Sequence, residues 1–343
     1  MIDYKFSKGF LWGTATSSYQ IEGAPNLDGK GPSVWDTFSH IEGNVKNGDN
    51  GDQACDHYNL WEKDIKLLKE LGVKAYRFSI SWPRIFPNGK EKLPNEAGLD
   101  FYDRLVDHLL ENTIQPFITL NHWDIPQGLE DIGGWPNRSM VDAFVKYSYY
   151  VSTRLGDRAK NWITHNEPWC ISYLGYIQGQ FPPGIKDNWP KSLATAHHLL
   201  LSHGMSINEI RNNSNDSNIG ITLNLSPSTP ASKSQYDKEA CKFYDGQFNR
   251  LYLDPLYKAQ YPKDLFDSLI KKKYIKKEDL NFIKTEDLKV ISKKTDFLGI
   301  NFYSRAIIRD NDIPKEKNLP IEVFLEEKTD FGWEIHPRSL YDL

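Results

Sequence analysis

Short β-rich apolar runs alternate with amphipathic stretches along most of this chain. Residues 11–15 read as a first strand. Trp61, Ile65, Leu68 and Leu71 then recur at helical spacing, and Gly72 follows where a C-cap is expected. Residues 74–80 form a second predicted strand, and Asn95 caps a helix whose stripe is Tyr102, Leu105, Val106 and Leu109. A third strand falls at 116–121. Ser139 with Asp142 predicts a capping-box start to a helix striped by Phe144, Tyr147, Val151 and Leu155, with Gly156 at its end. The series continues with strand 161–165, helix 193–210, strand 218–223, helix 243–257 and strand 295–301.

Strands that alternate with helices imply parallel pairing with helical crossovers. The segments after the strands are long, at 22–52, 124–138, 176–190 and 304–332. Long segments on the C-terminal side of the strands suit a (β/α)8 TIM barrel, whose site is built there. The rival, a doubly wound open sheet, lacks any Gly-x-Gly-x-x-Gly after a strand. At about 50 residues per unit, closing eight units needs roughly 100 more residues than this sequence has. The expectation is therefore an α/β fold, an incomplete barrel of about six of its eight units. Residues 1–343 would form a single partial catalytic domain with two exposed barrel edges.

Composition narrows the function. The 343 residues are 39% hydrophobic and 26% charged, with a net charge of −4, so no basic field recruits nucleic acid or an anionic membrane. The lysines at 271–273, 276 and 277 precede Glu278 and Asp279 and read as a solvated face. Cys55, Cys170 and Cys241 lie far apart without metal-ligand spacing, and an odd count without a signal peptide points to reduced thiols in a cytoplasm. Residues 1–5 lack a charged segment followed by an apolar one, and no apolar run approaches a membrane span. His197, His198 and His203 share one predicted helix, but adjacent histidines point apart and no His-Glu-x-x-His is present. No Gly-x-Ser-x-Gly is present either. No metal and no cofactor are expected.

Candidate chemistry gathers at strand tips. Gln20 and Glu22 follow the first strand and Arg77 lies in the second. His122, Trp123 and Asp124 end the third, Asn166 and Glu167 the fourth, and Asn301 and Tyr303 the sixth. Glu167 follows a strand directly and precedes Pro168, which cannot continue the ladder. Amides and an imidazole suit sugar hydroxyls, and the indoles of Trp123 and Trp169 suit the apolar face of a sugar ring. Blander roles stand beside these: Gln20 as a loop amide, His122 as a satisfied imidazole, Arg77 as half of a structural ion pair.

Residues 9–24 (Gly-Phe-Leu-Trp-Gly-Thr-Ala-Thr-Ser-Ser-Tyr-Gln-Ile-Glu-Gly-Ala) resemble the N-terminal signature of family 1 glycoside hydrolases, the β-glucosidase family. Residues 76–85, 119–126, 166–169, 196–204 and 297–303 fit further motifs of that family in order. The resemblance implies a barrel and a retaining mechanism with two carboxylates across one sugar. It implies that Glu167 is the general acid and then the base. Gln20, His122, Asn166 and Asn301 would hold the sugar, Tyr303 would bond the nucleophile and Arg77 would tune it. A carboxyl at 167 favours O-glycosides over thioglucosides. Ser18-Tyr19-Gln20 and His122-Trp123-Asp124 look like the plain glucosidases, with the 6-phospho-β-glucosidase branch as an alternative.

The chain also departs from the family. Phe181-Pro182-Pro183-Gly184 stands where His-Ala-Pro-Gly is more usual, and Leu251 where tryptophan is common. Residues 332–343 look like the lead-in to a seventh strand, whose Thr-Glu-Asn-Gly nucleophile motif is not in this sequence. The resemblance implies release of terminal β-D-glucosyl residues from small β-glucosides or cello-oligosaccharides, as in cellulose degradation. The nucleophile would lie past residue 343, and the isolated chain would be inactive. A non-catalytic sugar-binding pseudoenzyme, one half of a complementing pair, or a truncated gene product are the alternatives.

Overall fold

A computed structural model describes residues 5–313, 317, 319–325 and 327–343. Eight strands lie among these residues: β1 (Gly13–Ala15), β2 (Ala75–Ser79), β3 (Gln115–Asn121), β4 (Asn161–Asn166), β5 (Asn218–Asn224), β6 (Ser228–Pro230), β7 (Phe297–Asn301) and β8 (Ala306–Ile308). Six of them form one parallel sheet in the order β1-β2-β3-β4-β5-β7. Neighbours in space are neighbours in sequence, so the order never reverses as it does in a doubly wound sheet. β1 and β7 are the two ends of that order, and each pairs on one side only.

The sheet is strongly curled. Arg77 in β2 reaches Asn301 in β7 with an Nη1–Oδ1 separation of 3.5 Å, although these strands are four places apart in the sheet. In a flat sheet four strand spacings amount to about 19 Å. The parallel hydrophobic alternation therefore bends into most of a barrel wall, as the sequence pattern predicts.

The crossover helices are His57–Leu71, Glu96–Glu111, Ser139–Leu155 and Trp189–Asn213. Gly72 closes the first of these with φ of 77°, the left-handed C-cap that glycine supplies without Cβ strain. Gly156 works differently. It stays right-handed, but a Cβ there would come within 2.4 Å of the Ser152 carbonyl and 2.5 Å of the Asn213 carbonyl.

Several local expectations are corrected. Ser139 and Asp142 do not form a capping box: Arg138 is the N-cap residue, and the Asn137 side-chain oxygen accepts from the Ser139 amide at 3.1 Å. The Arg138 guanidinium is drawn instead to Asp287, which fixes that turn by an ion pair. Asn95 does occupy its N-cap, but its amide donates to the carbonyls of Asp28 at 2.7 Å and Arg84 at 3.0 Å rather than capping. The helix expected at 243–257 begins earlier, at Gln235–Asp245, and continues through a wide turn at Gly246–Arg250 into Leu251–Lys258. β6 and β8 pair in a separate two-stranded sheet, β8 inside the loop expected at 304–332 and β6 in a stretch for which no element was expected, because three residues each leave no periodic signal. In the loop expected at 304–332, residues 314–316, 318 and 326 lie outside the described ones, as do residues 1–4 of the N-terminal segment.

Aromatic rings fill the space between sheet and helices. Trp82 stacks on Tyr147 with centroids 4.8 Å apart, and Phe144 stacks on the His165 ring at 4.3 Å. One charged pair is buried among them. The Arg84 guanidinium donates twice to Glu22 Oε2, at 3.2 and 3.1 Å, and lies 3.9 Å from the centre of the Tyr58 ring. Tyr102 donates to the other oxygen of Glu22. Glu22, a strand-tip carboxylate by sequence, thus belongs to the packing of the barrel wall. Glu22→Ala leaves an unpaired cation in the core and is expected to cost about 3–5 kcal/mol. Chemical denaturation of the variant against the parent measures that loss.

Five histidines, His122, His165, His197, His198 and His203, are held below the ordinary imidazole range, in each case first by the loss of water around the ring. His203 is pushed down to about 3 and His197 to about 4. The unfolded chain takes up protons on these groups near pH 6.5. The unfolded state therefore binds more protons below that pH, and this part of the stability is lost as pH falls. Asp124 and Glu130, raised by burial to about 8 and about 7, act in the opposite sense. Two carboxyls do not offset five imidazoles. The denaturation midpoint is expected to fall from pH 7 to pH 5, and His203→Gln to flatten the slope. Equal midpoints at the two pH values would contradict this.

Candidate active site

The C-terminal tips of β2, β3, β4 and β7 converge at one end of the curled sheet. Arg77 projects from β2 and donates from Nε to Thr119 Oγ1 at 3.0 Å and from Nη2 to Asn166 Oδ1 at 2.6 Å. Asn301 Nδ2 donates to the same Asn166 oxygen at 3.0 Å. Two donors on one oxygen fix the Asn166 amide, so its nitrogen must be the atom facing His122 Nε2, at 3.1 Å. His122 is neutral, pushed well down by burial and by the Arg77 charge. Its Nε2 accepts from Asn166, which leaves the proton on Nδ1. That atom is buried and has no partner among the described residues. The site thus presents a hydrogen-bond donor with no protein acceptor.

Glu167 follows β4 directly and is buried, with φ of 49°. Trp123 follows β3 with φ of 81°. Left-handed backbone at two non-glycine residues is strain of the kind that functional sites hold in place. Each is fixed by what surrounds it. The Glu167 amide donates to the Thr222 carbonyl at 2.8 Å, and Trp123 Nε1 donates to the Asn166 carbonyl at 2.9 Å. The Glu167 carboxylate accepts from Asn301 Nδ2 on Oε1 and from the Cys170 thiol on Oε2, the latter at 3.0 Å. Burial pushes the Cys170 thiol well up, and the Glu167 charge adds to this, so the sulfur stays protonated and remains a donor. Burial also lowers Arg77 to about 10, against the pull of Glu167 and Tyr303, which leaves it charged at neutral pH.

The structure brings together Arg77, His122, Trp123, Asn166, Glu167 and Asn301 as one bonded set. Tyr303 stands beside Glu167; burial first and that carboxylate second push its hydroxyl up to about 12. Trp169 lines the cleft outside Glu167, with its Nε1 donating to Gln247 at 3.0 Å. Gln20 is not gathered in: it is exposed after β1 and makes no hydrogen bond among the described residues. The three histidines at 197, 198 and 203 have structural partners. His197 bonds Asp287 at 2.9 Å and Tyr261 at 2.8 Å, His198 bonds the Trp135 carbonyl at 2.9 Å, and His203 bonds Thr164 at 2.7 Å.

The sequence reading missed several cleft residues. Asn224 sits at the tip of β5 and follows the strand-tip rule that found the others. Cys170 lies one helical turn after Glu167, where an i, i+3 reading places it against the carboxylate. Tyr244 and Phe248 reach the cleft from the helix that continues through the 246–250 turn, which has no sequence mark. Glu334 lines it too, held by Arg305 through two bonds of 2.7 and 2.8 Å.

This geometry can hold a polyhydroxylated ring against the amide–imidazole–guanidinium set and place a carboxyl at its edge. Comparisons with known proteins agree. The family model of glycosyl hydrolase family 1 matches residues 2–343. A β-glucosidase A of Acetivibrio thermocellus is 51% identical over 340 residues, covering 98% of this chain and 74% of the relative. A 1,4-β-D-glucan glucohydrolase of Thermotoga neapolitana is 46% identical, covering 98% and 77%. The structure of a Thermotoga maritima β-glucosidase in complex with glucoimidazole superposes with a TM-score of 0.88 at 44% identity, covering 98% of this chain and 74% of that one. The chain belongs to glycosyl hydrolase family 1 and is a β-glucosidase-type member of it.

Proposed function

We propose that the site binds the terminal β-D-glucosyl residue of a small β-glucoside and that Glu167 is its acid/base. The observation that carries this reading is the position of Glu167. It lies between a polar nest of Arg77, His122, Asn166 and Asn301 and an aromatic cleft that includes Trp123 and Trp169. A glucosyl ring in the nest puts its glycosidic oxygen at the carboxyl and its leaving group in the cleft. His122 Nδ1 donates to a ring hydroxyl. Asn166 and Asn301, already held by Arg77, keep their orientation as the sugar enters. The Glu167 carboxyl is thereby placed to serve as the acid toward the leaving oxygen once a nucleophile takes the sugar carbon, and the bonds from Asn301 and Cys170 would stabilise the carboxylate that results.

Retention requires a second carboxylate about 5–5.5 Å from the first. The other carboxylate that lines the cleft, Glu334, is occupied by the Arg305 guanidinium. The reading therefore assigns no nucleophile among the described residues, and the 343-residue chain is proposed to bind without turnover. Its three free cysteines support a reducing, cytoplasmic setting.

Calorimetric titration with methyl β-D-glucoside is expected to show saturable binding, retained in Glu167→Gln. An aryl β-glucoside is expected to release no phenol above the rate of that variant. Phenol release that disappears in Glu167→Gln would show that the chain turns over substrate and contains its own nucleophile. Flat titrations would remove the glucoside reading.

A further inference from the structure

His122 and Trp123 leave the tip of β3 in a backbone that local preference does not hold, with Trp123 at φ of 81°. Two sets of bonds fix the pair. Toward the site, His122 Nε2 meets the Asn166 amide and Trp123 Nε1 donates to the Asn166 carbonyl. Behind them stands Asp124, only 2% exposed. Its Oδ2 accepts from the Ser18 hydroxyl at 2.7 Å. Ser18 is tied in turn to β2: its amide donates to Ser79 Oγ at 2.7 Å, and the two hydroxyls lie 3.0 Å apart. One carboxyl thus joins the turn after β1, the end of β2 and the tip of β3.

The surroundings of Asp124 suit a neutral acid better than an anion. Oδ1 is buried and has no partner among the described residues, where Ser18 supplies the only side-chain hydrogen bond to this carboxyl. The ionisable groups around it come from several elements. Glu22, just past the helix Ser18–Ile21, adds like charge and is itself paired with Arg84. Lys30 pulls the other way, but its ammonium is bonded to Asp36 at 2.8 Å. Tyr147, on the helix Ser139–Leu155, has its hydroxyl donated to the Ile80 and Leu120 carbonyls. Burial outweighs the Ser18 bond, Glu22 adds to it, and the carboxyl rises to about 8. Asp124, Ser18, Tyr19, Lys30, Asp36 and Ser81 help to line a cavity of about 10 Å³, the size of one water. A neutral acid can donate to that water while it accepts from Ser18. An anion needs more water than the cavity holds, and gains it only if the segments it joins move apart.

Resting on the glucoside reading above, we propose that Asp124 is a positioning residue for the sugar site: its neutral carboxyl latches the tip of β3 to Ser18 and so fixes His122 and Trp123, and its ionisation releases them. Asp124 makes no hydrogen bond to Arg77, Asn166, Glu167 or Asn301, so it acts through its two neighbours. The displaced titrations within the site lie outside the range from pH 7 to pH 9: His122 well below it, Arg77 at about 10 and Tyr303 at about 12. Loss of the Asp124 proton therefore lowers the latched fraction, and with it the apparent affinity, as pH rises through about 8.

Calorimetric titration of the 343-residue chain with methyl β-D-glucoside at pH 7 and pH 9 tests this. The parent is expected to bind about three- to tenfold more weakly at pH 9. Asp124→Asn keeps a neutral side chain of the same shape and is expected to bind equally at both pH values. Ser18→Ala removes the latch from the other element and is expected to weaken binding at pH 7 about three- to tenfold, with little further change at pH 9. Should Asp124→Asn misfold by circular dichroism, Ser18→Ala and the parent profile remain as the test. The indole N–H resonance of Trp123, assigned with Trp123→Phe, reads the tip without ligand. It is expected to move between pH 7 and pH 9 in the parent and to stay in place in Asp124→Asn. Equal binding by the parent at both pH values would overturn the proposal, as would a pH dependence that survives in Asp124→Asn. No binding by any form at either pH would remove the glucoside reading. The Trp123 resonance then decides the latch alone, and a shift that Asp124→Asn shares with the parent would overturn it.

Discussion

The contact between Arg77 and Asn301 is the constraint on which the site depends. Strands four places apart in a parallel sheet meet only if the sheet curls, and the guanidinium spans the resulting mouth by bonding to residues of β3, β4 and β7. Removing a guanidinium from water is costly, and burial does lower its affinity for a proton. The cost is offset by three side-chain oxygens that arrive from separate strands. Those same oxygens belong to groups that orient the rest of the site, so the satisfaction of one cation also fixes the Asn166 amide, the His122 tautomer and the bond from Asn301 to Glu167.

Polar residues at strand tips divide into two populations by this test. Asn166, Glu167, His122 and Asn301 bond to one another across the mouth of the sheet. Glu22 turns away and neutralises Arg84 in the packing layer. The histidines at 197, 198 and 203 also find fixed partners away from the strand tips, His203 on β4 at Thr164, His197 at Asp287 and His198 at the Trp135 carbonyl. Burial keeps all these imidazoles neutral, which makes the same residues that complete the core a source of acid sensitivity.

Much of the scaffold was legible in the chain. The six sheet strands and the long crossover helices follow from apolar periodicity, and Gly72 from its place after a helical stripe. What escaped were features set by partners remote in sequence. Arg138 leaves its helix start to meet Asp287, so a plausible capping box at Ser139 does not form. β6 and β8 are too short to carry a pattern and exist because they pair. Phe248 and Tyr244 enter the cleft from a helix whose interruption at 246–250 no residue type announces.

The sequence by itself determined the family, the alternation of parallel strands and helices, and the residue types at the strand tips. Local periodicity and the strand-ending Pro168 suffice to place a carboxyl at the tip of β4. Only the tertiary structure decided which of those groups act together. The curl of the sheet brings Arg77 to Asn301, and Trp169, Phe248, Tyr244 and Phe181 come to line one cleft. The physical reason is that backbone pattern is encoded over a few residues, whereas the pairing of buried charges and the packing of rings are settled among side chains tens to hundreds of positions apart.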